Sequence, residues 1–139
     1  MNEIEQKKAQ LEQRFEQTIA FHPALARVGG SAAAGLFLSQ LIYWSGKGKH
    51  PEGWIYKDAA EWEQETCLTR AEQRTARSAL TGRGLIEESD MRKLEIDLFK
   101  NTLTFRVRWD KLAAALDADD AKEKEKREKK EKCKDKKAA

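Results

Sequence analysis

Proline, cysteine and histidine each occur only twice in the chain, and each scarcity removes a class of reading. Cys67 and Cys133 lie far apart and form no CxxC pair, which excludes a disulfide framework and a zinc-ribbon spacing. Two reduced thiols of a cytoplasmic protein are the expectation. His22 and His50 have no neighbouring Cys, His or Asp at metal-ligand spacing, so no metal and no cofactor is expected. No nucleophile–base set or paired carboxylate stands out, and the chain is not read as an enzyme. The longest apolar stretch, residues 32–44, is interrupted by Ser39 and Gln40 and is too short to span a bilayer. The opening residues carry no apolar segment of the signal-peptide kind.

Charge is plentiful instead. Charged residues make up 37% of the chain, against about a quarter in an average protein. Their distribution matters more than their number. Residues 119–139 hold ten Lys/Arg and seven Asp/Glu, whereas residues 1–118 hold seventeen of each sign. The tail therefore accounts for the whole net charge of +3. The basic pI of about 8.8 is poor grounds for nucleic-acid binding by the body of the chain, and any such argument must rest on where particular cations sit.

Periodicity divides the chain. Residues 2–20 read as a helix with Ile4, Leu11, Phe15 and Ile19 on one narrow face interrupted by Lys8. That face suits packing on the same domain, or a dimerisation seam, since the spacing is heptad-like. His22-Pro23 ends this helix, Gly29-Gly30 makes a joint, and Ser31 is an N-cap. Residues 32–45 form a helix apolar nearly all round, the pattern of a core centre. A Gly/Lys-rich loop follows, in which Lys47 or Lys49 could touch DNA non-specifically. Trp54-Ile55-Tyr56 is a candidate single strand.

Asp58 caps a helix over 59–65. Thr66-Cys67-Leu68 makes a tight turn, and Thr69 with Glu72 forms a capping box for a helix over 70–81. Residues 58–82 thus have helix-turn-helix proportions. Past Gly84 the apolar period falls to two: Leu94, Ile96 and Leu98, then Leu103, Phe105, Val107 and Trp109. Residues 85–109 are expected to form an antiparallel hairpin with one buried face. Asp110 caps a short helix over 111–116. The Lys/Glu tract of 117–139 is expected as a frayed helix or as disorder, because it has no apolar stripe. The four tryptophans are read as core or element-edge residues.

The residue pattern that carries a function lies on the 70–81 helix. At 100° per residue, Arg70, Arg74, Arg77 and Thr81 share a strip about 60° wide, with Gln73 and Ser78 at its flanks. Ala76, Ala79 and Leu80 fall elsewhere, so one side can pack while the other presents arginines. The planar arginine fork bonds bidentately to guanine or phosphate. The N-terminal half of a second helix-turn-helix helix enters the major groove. Arg70, Gln73 and Arg74 are therefore expected to read bases, and Arg77, Ser78 and Thr81 to contact or flank phosphates. The hairpin adds Arg92, Lys93 and Lys100 to the expected DNA-binding set, together with Arg106 and Arg108.

Several segments together resemble a known family: Phe21-His22-Pro23, Val28-Gly29-Gly30-Ser31, residues 36–44 (LFLSQLIYW), Gly53-Trp54-Ile55-Tyr56-Lys57, Glu61-Trp62, residues 66–73 (TCLTRAEQ) and residues 84–88 (GLIEE). They look like the N-terminal DNA-binding domain of phage and plasmid replication initiation proteins. The resemblance covers residues 21–116. It implies a winged helix-turn-helix, mainly α with a small antiparallel β-hairpin, flanked by the N-terminal helix of 1–20 and the charged tail of 117–139. It also implies a partner, double-stranded DNA, and a role in replication initiation or transcription regulation within a mobile element. A competing expectation is a protein-interaction module or an inhibitor of a host machine, with a protein partner and no dependence on DNA. Homodimerisation through the N-terminal helix is compatible with either, and no membrane association is expected.

Overall fold

The helix apolar on all sides, Ala32–Ser45, forms the axis of the fold. In the computed structural model, which describes residues 2–15, 18–47, 53–88 and 102–138, this helix is α3. It begins where expected, with the Ser31 hydroxyl accepting from the Ala34 amide at 3.1 Å. Phe37, Leu38 and Leu41 are fully buried. The remaining elements are α1 (Glu3–Glu12), α2 (Pro23–Gly29), β1 (Ile55–Asp58), α4 (Ala59–Thr66), α5 (Arg70–Gly82), β2 (Ile86–Glu88), β3 (Thr102–Val107) and α6 (Trp109–Ala138). The chain is mainly helical, with one small antiparallel sheet of strand order β1-β3-β2.

The core forms where three elements meet α3. Phe37 stacks on Trp62 of α4 with ring centroids 4.2 Å apart, and Phe105 of β3 meets Phe37 edge-on at 5.4 Å. Offset-stacked and edge-to-face pairs are the favoured aromatic geometries, because each ring has a negative face and a positive edge. Leu80 of α5 is also fully buried in this cluster, with Leu85 and Ile86 following it. β3 is the central strand: Ile55 pairs with Phe105 on one side, and Ile86 with Val107 on the other. The candidate single strand of the sequence thus gains a partner, which aligns its buried residue Ile55 with the buried Phe105.

Four expectations need revision. The helix expected over 2–20 is shorter: α1 ends at Glu12 and tightens into a 3-10 turn, Gln13–Phe15, and residues 18–22 are not helical. Pro23 starts a helix as well as closing the preceding segment. It occupies the first turn of α2, where its missing N–H would have no intrahelical partner in any case. Trp109 does not continue the strand inward; it opens α6 and is 55% exposed. The short helix expected over 111–116 and the Lys/Glu tract beyond it form one continuous helix through Ala138. The alternating apolar run Leu94, Ile96 and Leu98 lies outside the described residues.

α6 is anchored by a polar contact. Arg27 of α2 donates to both carboxylate oxygens of Asp119, from Nε at 3.0 and 3.1 Å and from Nη2 at 3.0 Å. Glu123, one turn further, lies 3.4 Å from Arg27 Nε. The fork geometry fixes orientation as well as proximity. It also holds the Asp119 carboxyl below the usual carboxylate range, through the hydrogen bond from Arg27. Leu112 is the buried apolar anchor of α6. Among the described residues no single helix is long and apolar enough to cross a membrane.

Two glycines set the α2–α3 joint, where the chain bends by 115°. Gly30 takes φ +96° as the α2 C-cap, a conformation that costs glycine little and other residues more. Gly35, one turn into α3, sits against the backbone of Ala26: a Cβ there would lie 2.6 Å from the Ala26 Cα. Gly35→Ala is therefore expected to lower stability by about 1–3 kcal/mol, since backbone rather than a pliable side chain must move. Gly82→Ala, at an α5 site with nothing within 4 Å, is expected to raise stability by up to about 1 kcal/mol. Chemical denaturation of the two variants checks the contrast; equal stabilities would remove the close approach as a constraint.

Candidate nucleic-acid interface

Placement of the basic strip begins with the turn before α5. Cys67 adopts φ 63° as the C-cap of α4, and Thr69 then starts α5. The Thr69 hydroxyl accepts from the Glu72 amide at 3.2 Å, and the Glu72 carboxylate accepts from the Thr69 amide at 3.1 Å. This reciprocal capping box satisfies two N-terminal amides that would otherwise lack partners. Asp58 caps α4 in the same manner, accepting from the Glu61 amide at 2.7 Å.

Gln73, expected as a base reader, is instead turned into the fold. Its side chain is 1% exposed, and its Nε2 donates to the carbonyls of Ala59 at 3.0 Å and Leu68 at 2.9 Å. One amide thus ties α5 to the start of α4 and to the turn between them. The reason lies in the buried face of α5, formed by Gln73, Ala76 and Leu80. These residues centre about 85° from Arg70 on the helical wheel, which puts Gln73 well inside the packing arc.

Arg70, Arg74, Ser78 and Thr81 are exposed, and Arg77 is half-buried at the border of the packing arc. Arg77 Nε is enclosed without a hydrogen-bond partner, while Arg74, Arg77, Ser78 and Thr81 line one open depression of about 410 Å³. Gly82 and Glu88 complete its lining among the described residues, so there one carboxylate accompanies two guanidinium groups and two hydroxyls. Among the described residues, no acid lies within ion-pair distance of Arg70, Arg74 or Arg77. The arrangement can bind an anion through charge-assisted, forked hydrogen bonds.

The hairpin cations are disposed differently. Arg92, Lys93, Lys100 and Lys49 lie outside the described residues. Arg106 and Arg108 converge on Glu87, with Nη2 of Arg106 at 2.8 Å and Nη1 of Arg108 at 2.7 Å. Arg106 also lies over the Trp54 ring at 4.5 Å, and Arg108 reaches Asp110 at 3.7 Å. Burial by itself would raise the Glu87 carboxyl; the two arginines outweigh it and hold the group below its ordinary value. Lys47 donates to the Tyr43 hydroxyl and sits over that ring.

A second polar cluster lay hidden in the sequence. Lys57 is 8% exposed and pairs with Glu65, whose other oxygen accepts from Gln40 at 3.2 Å and from the Trp44 indole at 2.9 Å. The Lys57 ammonium also lies 3.7 Å from the Trp44 ring centroid. The cluster clamps α3, β1 and α4 together beside an open groove of about 1220 Å³ lined by Tyr43, Trp44, Trp54 and Tyr56. The alternation of β1 hinted at it, since Lys57 shares the Ile55 face. No family model, curated protein or solved structure matches the chain.

Gln73→Ala is expected to lower stability by about 1–3 kcal/mol, because two enclosed carbonyls lose their donor; denaturation at neutral pH measures it. Glu87 sets a pH dependence. Its folded pKa lies below the ordinary 4.5, so the stability it adds is complete above about pH 4.5 and is lost as pH falls through the folded value. Glu87→Gln should therefore be less stable than wild type at pH 7. The difference should narrow in acid, which parallel denaturation at pH 7 and pH 3 would reveal.

Proposed function

We propose that residues 21–116 form a winged helix-turn-helix that binds double-stranded DNA through α5. The observation that carries this reading is the separation of faces on α5. Arg70, Arg74, Ser78 and Thr81 are exposed, while Gln73, Ala76 and Leu80, about a quarter turn away, are held in the core. The order of elements supports it: α4 and α5 are joined by a short turn, and β2 and β3 follow as two paired strands, with β1 added to the far side of β3. In such an arrangement the second helix enters the major groove and the strands that follow approach the flanking backbone.

Roles follow from position. Arg70 and Arg74, at the N-terminal half of α5, would meet base edges. Arg77, Ser78 and Thr81, around the depression, would hold a phosphate. The resemblance to mobile-element replication initiators favours replication initiation or transcription regulation as the process. A second reading, a module that binds protein rather than DNA, draws on one observation: Glu87 already engages both Arg106 and Arg108, which weakens the positive field of the strands.

Arg70→Ala/Arg74→Ala is expected to lower duplex affinity by at least about thirtyfold at fixed salt, at about 1–3 kcal/mol per lost base contact. Arg77→Ala is expected to weaken all duplexes alike and to reduce the salt slope by about one. Fluorescence anisotropy across a salt series distinguishes these effects, with circular dichroism to confirm the fold. Wild-type protein that binds no duplex from a randomised pool, even at low salt, would favour the protein-binding reading.

A further inference from the structure

α1 holds its apolar side chains away from the body. Ile4 is 76% exposed, Leu11 50% and Phe15 66%, and no residue of the helix is buried. Its Asn2 cap, accepting from the Glu5 amide at 2.8 Å, makes it a locally well-formed helix. What it would pack against is written in the charges beside the stripe. On the helical wheel Leu11 falls beside Ile4. Glu5 and Glu12 lie about a quarter turn to one side of that pair; Lys7 and Arg14 lie nearer the pair on the other side, with Glu3 just beyond them. The stripe therefore has one acidic flank and one basic flank. Beyond Glu12 the 3-10 turn winds more tightly and moves Phe15 towards the acidic side, so the pattern rests chiefly on residues 4–12.

From this asymmetry we infer that α1 is a pairing surface for a second copy of the chain, joined in parallel. When two identical helices of this kind meet side by side in the same direction, the acidic flank of each faces the basic flank of the other. Lys7 then lies opposite Glu12 of the second copy, twice over by symmetry. An antiparallel pair would set acid against acid and base against base. In heptad terms, Ile4 and Leu11 take one core position and Lys8 the other. A lone lysine at such a site favours a defined register at some cost in stability. Lys8 has a local partner in Glu12, 4.0 Å away. A helix this short gives a weak dimer, with dissociation in the micromolar range or above. The pairing does not rest on α5 binding DNA, and the two can fail separately.

The test is charge exchange, read by sedimentation equilibrium of the full chain without DNA, from micromolar to millimolar concentration. Wild type is expected to self-associate to a dimer. Glu5→Lys/Glu12→Lys makes both flanks basic, and Lys7→Glu/Arg14→Glu makes both acidic. Each alone is expected to self-associate at least about tenfold more weakly, since attractive pairs become repulsive. An equimolar mixture of the two variants restores opposite flanks and should dimerise as heterodimer. A wild type that stays monomeric throughout, variants that associate alone as strongly as wild type, or a mixture that stays monomeric would each overturn the inference.

Discussion

Phe37, Trp62 and Phe105 touch one another at the centre of the protein, and the placement of the exposed strip on α5 depends on that contact. The three rings come from α3, α4 and β3, elements far apart in sequence. Their burial orients α4, and α4 orients α5 through the short turn at Cys67 and the Gln73 amide. Leu80 then closes α5 onto the same cluster. The angle of α5 to the rest of the molecule is thus set by apolar contacts at one end and by a two-pronged hydrogen bond at the other. The aromatic contacts supply most of the buried area; the amide adds a directional bond without much area. Together they hold the arginine strip on a rigid support.

The acids of the body divide their work in a way that leaves this strip exposed. Glu65 answers Lys57, Glu87 answers Arg106 and Arg108, and Asp119 answers Arg27. Each of these carboxylates sits where two or more elements join, and each is shielded enough from water for its pairing to constrain geometry. Glu72, the acid nearest the start of α5, is occupied in the capping box. The formal neutrality of residues 1–118 conceals this arrangement. Equal totals of each sign become a surface on which some cations are matched at element junctions and a few on α5 are not.

Local rules made much of this visible beforehand. Caps at Ser31, Asp58 and Thr69, the turn at Cys67 and the start of α5 all depend on residues within one helical turn of each other. The revisions share a different cause. α2 is short and begins at a proline, so its periodicity is too brief to read, and it is made stable by packing against α3 at Gly35. The docking of α6 at Asp119 involves Arg27, a residue far away in sequence. Gln73 looked like a reader because it is polar and next to the arginines. Only the direction of the packing arc, which tertiary contacts decide, places it inside. Trp109 kept the strand's period of two for one residue too many, and helix α6 took it instead.

The burial of Gln73 also clarifies how α5 can be both support and contact surface. Its stabilising polar bonds, the capping box and the Gln73 amide, lie at its start and on its inner side. The exposed side contributes Arg70, Arg74, Ser78 and Thr81, whose polar groups form none of these bonds. Changing the outer residues therefore removes no interaction that holds the fold, while changing the inner ones alters the fold before it alters any surface. Arg77 stands between the two groups, with an enclosed Nε and a place in the depression. Arg77 is half-buried where Arg70 and Arg74 are exposed, so its side chain has less freedom to search. In the proposed DNA complex that restriction would suit a phosphate contact, and the freer Arg70 and Arg74 would suit base edges.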